Sequence, residues 1–68
     1  MDIVVQVGQN LRLLRKQKGL SQEKLGFAAG LDRTYISSIE RAKKNPAVRS
    51  IAKIAKALDA PPARLLAE

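Results

Sequence analysis

The sequence predicts an all-α fold built from five short helices. Apolar residues recur at steps of three and four along most of the chain, which is the spacing of a helix with one buried face. Glycine, serine, aspartate or proline separates these segments where helices typically begin or end. No segment carries the sustained alternation of a β-strand. The length of 68 residues allows one small domain, over residues 1–68.

The first helix is predicted to run to about Lys18. Its buried face is formed by Val4, Val7, Leu11 and Leu14. Gly19 ends it in the left-handed conformation, and Leu20 then packs back on the helix. The β-branched residues between positions 3 and 7 leave an extended arm as an alternative for the start of the chain.

Two short helices with a tight turn follow. Ser21 is the predicted N-cap of the second helix, which Gly30 ends, and Asp32 is the predicted N-cap of the third, which runs to about Arg41. Such a pair within about twenty residues is typical of a helix-turn-helix. The residues predicted to point inward are Leu25, Gly26, Ala28, Ala29, Leu31, Ile36 and Ile39. Gly26 and Ala29 are small because the two helices are expected to cross closely there.

The last third of the chain predicts two further helices. Residues 43–46 read as a loop, because the residue before Pro46 is disfavoured in a helix. A fourth helix then buries a stripe formed by Val48, Ile51, Ile54, Ala55 and Leu58. After Pro61 and Pro62, a last short helix carries Leu65 and Leu66.

Composition excludes several classes of function. Thirteen Lys and Arg residues against six Asp and Glu give a net charge of +7, so a polyanion is the expected partner. The absence of Cys and His removes thiolate nucleophiles, imidazole bases and the usual zinc ligands, and we predict neither an enzyme nor a cofactor. No apolar run approaches the roughly 20 residues of a membrane span, and no signal peptide is recognisable, so we expect a cytoplasmic protein.

The polar face of the third helix is the most informative feature. Arg33, Thr34, Ser37, Ser38 and Arg41 lie on one side at steps of three and four. Most of them can form hydrogen bonds and are short enough to approach base edges in the DNA major groove. A polar face is equally typical of a helix that faces only water, so this pattern alone leaves both interpretations open.

Three blocks in order along the chain resemble the Cro/repressor-like (XRE-type) helix-turn-helix family: LRKQKGLSQEKL, AAGLDRTYISSIERAKKNP and IAKIAKAL. The family is one of bacterial and phage DNA-binding regulators with a five-helix, lambda-repressor-like fold. The segment DRTYIS followed by IER further resembles the controller proteins of restriction-modification systems. The resemblance covers nearly the whole chain.

The resemblance implies how the chain would contact DNA. The positions that read bases in the family map onto Arg33, Thr34, Ser37 and Ser38, and Arg33 matches the acceptors of guanine. Tyr35 either stacks beside the sugar-phosphate backbone or packs on the domain surface. The remaining expected contacts with the DNA backbone come from Gln22, Arg41, Lys43, Lys44, Asn45 and Arg49, although Gln22 and any one lysine can also be simply exposed.

The resemblance also assigns structural roles. It implies a partly buried salt bridge between Arg15 and Glu40, and it makes Leu65 and Leu66 candidates for a dimer interface, with core packing as the alternative for each. Three residues depart from the family pattern. Gly26 replaces a usual alanine, which should loosen the second helix, and Ala42 and Asp59 stand where glycine commonly ends the third and fourth helices.

We therefore expect a sequence-specific regulator that binds double-stranded DNA as a homodimer on a palindromic operator, in the cytoplasm of a bacterium or of a phage-infected cell, associated with the nucleoid. A controller of restriction-modification genes is the more specific expectation. The antitoxin of a toxin-antitoxin pair and an adaptor that binds only protein are the alternatives. Neither a metal nor a small-molecule ligand is expected.

Overall fold

A computed structural model describes residues 2–68, so Met1 of the predicted domain lies outside the described residues. Within that range the chain forms five helices and no strand. They are α1 (Ile3–Gln17), α2 (Gln22–Ala29), α3 (Arg33–Glu40), α4 (Val48–Ala57) and α5 (Ala63–Leu66). The predicted all-α fold with a helix-turn-helix in α2 and α3 is confirmed.

The helices enclose one apolar core. Helix α1 packs against α3 and α5, α2 packs against α3 and α4, and α4 also contacts α5. Every helix therefore contributes to the same interior. The buried apolar residues are Val7, Leu11, Leu14, Leu25, Ala29, Ile36, Ile39, Ile51, Ile54, Ala55, Leu58 and Leu65.

Helix α1 begins at Ile3, so the alternative of an extended arm at residues 3–7 is wrong. The carboxylate of Asp2 accepts a hydrogen bond from the backbone N–H of Val4 at 2.8 Å and so caps the helix. Val7 is buried against the core, which favours the helical phase over an arm that would leave it in water.

The predicted caps of α2 and α3 are present. Ser21 accepts from the backbone N–H of Lys24 at 3.0 Å, and Asp32 accepts from that of Thr34 at 2.7 Å. The Asp32 cap lowers the pKa of its carboxyl, chiefly through the hydrogen bond from the Thr34 backbone. Helix α4 starts after Ala47, whose side chain supplies no cap.

Ala42 and Asp59, which stand where the resemblance leads us to expect glycine, adopt the left-handed backbone conformation with φ of 57° and 54°. Each forms the same pair of backbone bonds as Gly19 does after α1. In the turn after α3, Ala42 N–H donates to Ile39 O and Lys43 N–H donates to Ser38 O. These bonds satisfy the last carbonyls of the helix, while the β-carbon makes the conformation strained.

Gly26 has a packing role that its helix propensity did not reveal. A β-carbon built there would lie 2.6 Å from the backbone oxygen of Leu31, in the turn that connects α2 to α3. Gly26 is therefore needed for the close approach of the turn to α2. This contact agrees with the expectation that Gly26 is small because the two helices cross closely, and the nearest atom belongs to the turn before α3.

Two apolar residues predicted to be buried are exposed. Ala28 is exposed, because the buried side of α2 is centred on Leu25 and Ala29 and Ala28 lies on its flank. Val48 is 87% exposed, because it occupies the first position of α4, one turn before Ile51 reaches the core. Leu31 is partly buried and packs against the core, as predicted.

Candidate nucleic-acid interface

The first turn of α3 presents Arg33 and Thr34 to solvent. The Asp32 cap fixes where this turn begins, and the buried Ile36 and Ile39 fix the opposite side of the helix against the core. The polar face predicted from the sequence is therefore directed away from the protein interior. Arg33 and Thr34 are its most exposed members in the described part of α3.

The two serines of this face are less accessible than the sequence pattern suggests. Ser37 and Ser38 are both half-buried. The Ser38 hydroxyl donates to the backbone oxygen of Thr34 at 2.9 Å, within its own helix. Its lone pairs remain as acceptors, so Ser38 is suited to receive a hydrogen bond from a base amino group.

Tyr35 connects α3 to the start of α4. Its hydroxyl donates to Ser50 Oγ at 3.1 Å and accepts from the backbone N–H of Ala47 at 3.2 Å, and its ring is half-buried. Of its two sequence interpretations, the structure shows packing on the domain. The sequence did not predict these two hydrogen bonds of Tyr35, because no local pattern relates Ala47 and Ser50 to a residue 12 or 15 positions earlier.

Exposed cationic and polar residues follow the polar face of α3. The chain leaves α3 through the left-handed Ala42 and crosses to α4, and along this path the predicted contacts with the DNA backbone are exposed. A flexible, solvated cation is the type of residue that binds phosphate without reading sequence. The cations are Arg41, Lys43, Lys44 and Arg49, and Asn45 is an exposed neutral amide among them.

Arg15 and Glu40 form a salt bridge between α1 and the last residue of α3, with Arg15 Nε 2.6 Å from Glu40 Oε2. Arg15 Nη2 donates to Glu40 Oε1 at 3.0 Å, and Arg15 Nη1 donates to the backbone oxygen of Leu20 at 2.8 Å. The hydrogen bond to Glu40 is the main cause of a raised pKa for Arg15. This buried pair joins the first helix to the helix-turn-helix, as the resemblance implies.

Gln22 also contacts this pair. Its Nε2 donates to Glu40 Oε1 at 3.1 Å, and the residue is half-buried. Gln22 is therefore held by an interaction inside the protein, and the simple exposed side chain of the alternative interpretation does not describe it.

The two candidate residues for a dimer interface differ in their burial. Leu65 is fully buried and belongs to the core, which is the alternative that the sequence left open for it. Asn10 donates to the carbonyl oxygens of Leu65 and Ala67, at 2.9 and 2.7 Å, and so joins the end of α5 to α1. Leu66 is 47% exposed.

Leu66 lines an open apolar groove of about 300 Å³ that the sequence did not predict. Ile3 and Val48, two other exposed apolar residues, line it as well, and Val7 and Ile51 lie at its base. The groove combines the start of α1, the start of α4 and the region of α5, which are far apart in the sequence. It is therefore a product of the tertiary fold.

No helix between residues 2 and 68 has the length and hydrophobicity that a transmembrane segment requires.

Comparison with known proteins gives a consistent assignment. The family model described as helix-turn-helix matches residues 11–65. The chain is 47% identical over 57 residues to a hypothetical transcription factor of Neisseria meningitidis, covering 84% of this chain but only 54% of that protein. It is 50% identical over 60 residues to control protein C.BamHI of Bacillus amyloliquefaciens, covering 87% of this chain and 74% of that protein.

A solved structure is also similar to this chain, in both fold and sequence. The restriction-modification controller protein C.AhdI from Aeromonas hydrophila superimposes with a TM-score of 0.89 at 50% identity, covering 91% of this chain and 94% of that one. The matched segment contains α2, α3 and α4 complete, together with the exposed face of α3. The chain belongs to the helix-turn-helix family, as its resemblance to Cro/repressor-like regulators predicts.

Proposed function

We propose that this chain is a sequence-specific transcriptional regulator that inserts α3 into the major groove of double-stranded DNA. The observation that carries the proposal is the first turn of α3, where Arg33 and Thr34 are exposed beside a run of exposed cations. The net charge of +7 supports the attraction to DNA that such a surface needs.

Arg33 is the proposed main base contact. Its guanidinium fork matches the O6 and N7 acceptors of guanine. Thr34 offers a methyl group to thymine or a hydroxyl to a base. Ser37 and Ser38 have shorter side chains, so they would contact base edges that lie closer to the axis of α3. Gln22, Arg41, Lys43, Lys44, Asn45 and Arg49 are the proposed contacts with the DNA backbone, and Tyr35 contributes there only through the exposed part of its ring.

A homodimer is the proposed functional form. The protein measures 28 × 21 × 21 Å, less than the roughly 34 Å that separates successive major-groove faces of a duplex. A second recognition helix must therefore come from a second copy. The apolar groove at Leu66, Ile3 and Val48 supports this form, because a second copy would remove these side chains from water.

The similarity to control proteins favours one biological setting. C.BamHI and C.AhdI are named as control proteins, the latter of a restriction-modification system, and they match most of this chain. We accordingly propose that this chain, as a single domain over residues 1–68, controls restriction-modification genes from an operator on the bacterial or phage DNA, in the cytoplasm at the nucleoid.

Selection of bound sites from a random duplex library tests the proposal. We expect one enriched palindrome with half-sites about one helical turn apart, bound more weakly as the salt concentration rises. Two tandem palindromes would support the controller role. Binding without any enriched site would contradict sequence-specific regulation, and no binding to duplex DNA at any salt concentration would favour an adaptor that binds only protein.

A further inference from the structure

The carboxylate of Glu40 gathers donors from two other helices. It accepts from Arg15 of α1 through both oxygens, at 2.6 and 3.0 Å, and from Gln22 Nε2 of α2 at 3.1 Å. The Glu40 side chain is 4% exposed. Glu40 therefore fixes Gln22 from a buried position that DNA does not reach.

The chemistry of the donors determines the orientation of the Gln22 amide. A carboxylate paired with a guanidinium only accepts hydrogen bonds, so the Gln22 amide must direct its nitrogen, not its oxygen, towards Glu40. The amide nitrogen carries two hydrogens, and one of them forms the hydrogen bond to Glu40. A phosphate oxygen is also an acceptor, so the second hydrogen is the group that Gln22 has left for DNA.

We propose that Glu40 is a positioning residue for DNA binding, which holds the Gln22 amide so that its second N–H is presented to a phosphate of the duplex. The inference rests on the proposed function, in which Gln22 contacts the DNA backbone. It adds that Gln22 is ordered before DNA arrives, and that an acidic residue without any DNA contact strengthens binding.

Arg15 makes an acidic residue acceptable at this place. A lone carboxylate near the phosphate would repel it, but the two hydrogen bonds from Arg15 offset the charge of Glu40. The buried pair thus has two consequences: it joins α1 to α3, and it supplies a fixed acceptor for Gln22. The second consequence can be separated from the first by experiment.

The test uses Glu40→Asp, which keeps the negative charge but withdraws the carboxylate by one methylene. Affinity for the selected operator is measured for the wild type, Glu40→Asp, Gln22→Ala and the double variant, each at several salt concentrations and at a temperature where all are folded. Glu23→Asp is the matched control, because Glu23 is an exposed acid one residue from Gln22.

We expect Gln22→Ala and Glu40→Asp each to weaken operator binding by roughly tenfold, a typical loss for one hydrogen bond to a charged group. The double variant should be no weaker than Gln22→Ala alone. Because a neutral amide displaces no counterions, the loss should be the same at every salt concentration. Glu23→Asp should bind like the wild type.

Equal effects of Glu40→Asp with and without Gln22 would overturn the proposal, since a scaffold residue acts whether or not Gln22 is present. If Glu40→Asp does not fold, a relaxation measurement on the wild-type protein tests the proposal instead. The side-chain amide of Gln22 should be as rigid as the backbone by nuclear magnetic relaxation without DNA, whereas that of the exposed Gln17 should be mobile. A mobile Gln22 amide contradicts the proposal, while failure of the wild type to bind any operator contradicts the proposed function instead.

Discussion

Gly8 of α1 lies directly against the backbone at the end of α3. A β-carbon on Gly8 would overlap the carbonyl oxygen of Ile39 and stand 3.0 Å from that of Glu40. The absence of a side chain thus sets the distance between the two helices that the Arg15–Glu40 pair joins. This contact positions α3 from the side opposite its exposed polar face.

Gly8→Ala should therefore destabilise the protein, although alanine favours a helix by about 1 kcal/mol. Forcing α1 away from two backbone carbonyls should cost about 1–3 kcal/mol in addition to offsetting that gain. Chemical denaturation measures the change. Gln9→Ala, at the exposed neighbouring position, is the control and should leave the free energy of unfolding nearly unchanged. A stabilised Gly8→Ala variant would show that the helices are not in close contact.

Ala42→Gly should stabilise the protein. Ala42 has a φ of 57°, in which its β-carbon is strained and glycine is not. After allowing for the greater freedom of glycine in the unfolded chain, we expect a gain of about 1 kcal/mol, or a rise in melting temperature of roughly 4–8 °C. Ala28→Gly, at an exposed helical position, should lower the melting temperature instead. A lower melting temperature for both variants would argue against strain at Ala42.

Arg33→Ala and Lys43→Ala should differ in what they change. Loss of a bidentate guanine contact should cost about 1–3 kcal/mol on the selected operator and relax the preference at one base position. Lys43→Ala should weaken all sequences alike and reduce the salt dependence by about one unit per protomer. Site selection repeated with both variants measures the difference. An unchanged preferred site with Arg33→Ala would mean that another side chain reads the base.

Leu66→Ser should weaken the proposed homodimer. Leu66 is half-exposed in the apolar groove, so a hydroxyl there would lose the burial that a second copy provides, and we expect the dimer dissociation constant to rise roughly tenfold or more. Sedimentation equilibrium measures the constant. Leu13→Ser is the control, because Leu13 is 58% exposed on α1 but does not line the groove. A larger effect of Leu13→Ser would place the interface elsewhere.

Acid should weaken the start of α3 through Asp32. The pKa of Asp32 is lowered in the folded protein by the Thr34 backbone hydrogen bond, so its carboxylate stabilises the fold above the unfolded pKa of about 3.9. That contribution is lost as the pH falls through the lower folded pKa. Asp32→Asn retains a cap without titrating. Between about pH 5 and pH 2 its melting temperature should therefore fall less than that of the wild type, and an equal fall would exclude Asp32 as a source of the acid sensitivity.

The sequence by itself determined the five helices and the polar face of α3. Apolar spacing, Ser21, Asp32 and the glycines defined five helices close to their observed bounds, because caps and helix periodicity are local interactions. The same periodicity placed Arg33 and Thr34 opposite the buried Ile36 and Ile39. The resemblance then supplied the Arg15–Glu40 pair, which no spacing argument reveals.

Only the tertiary structure decided which of the predicted DNA-contacting side chains are held by other residues and which apolar residues are buried. Tyr35 is held by Ser50 and Ala47, and Gln22 by Glu40, through contacts between helices that depend on how the helices pack. Leu65 and Leu66 are adjacent and chemically identical, yet one fills the core and the other lines a groove. Adjacent side chains of a helix point in different directions, so the docking of α5 against α1 decides which of the two is buried. Asn10 contributes to that docking by binding the carbonyl of Leu65 from 55 residues away, a distance along the chain that no local pattern spans.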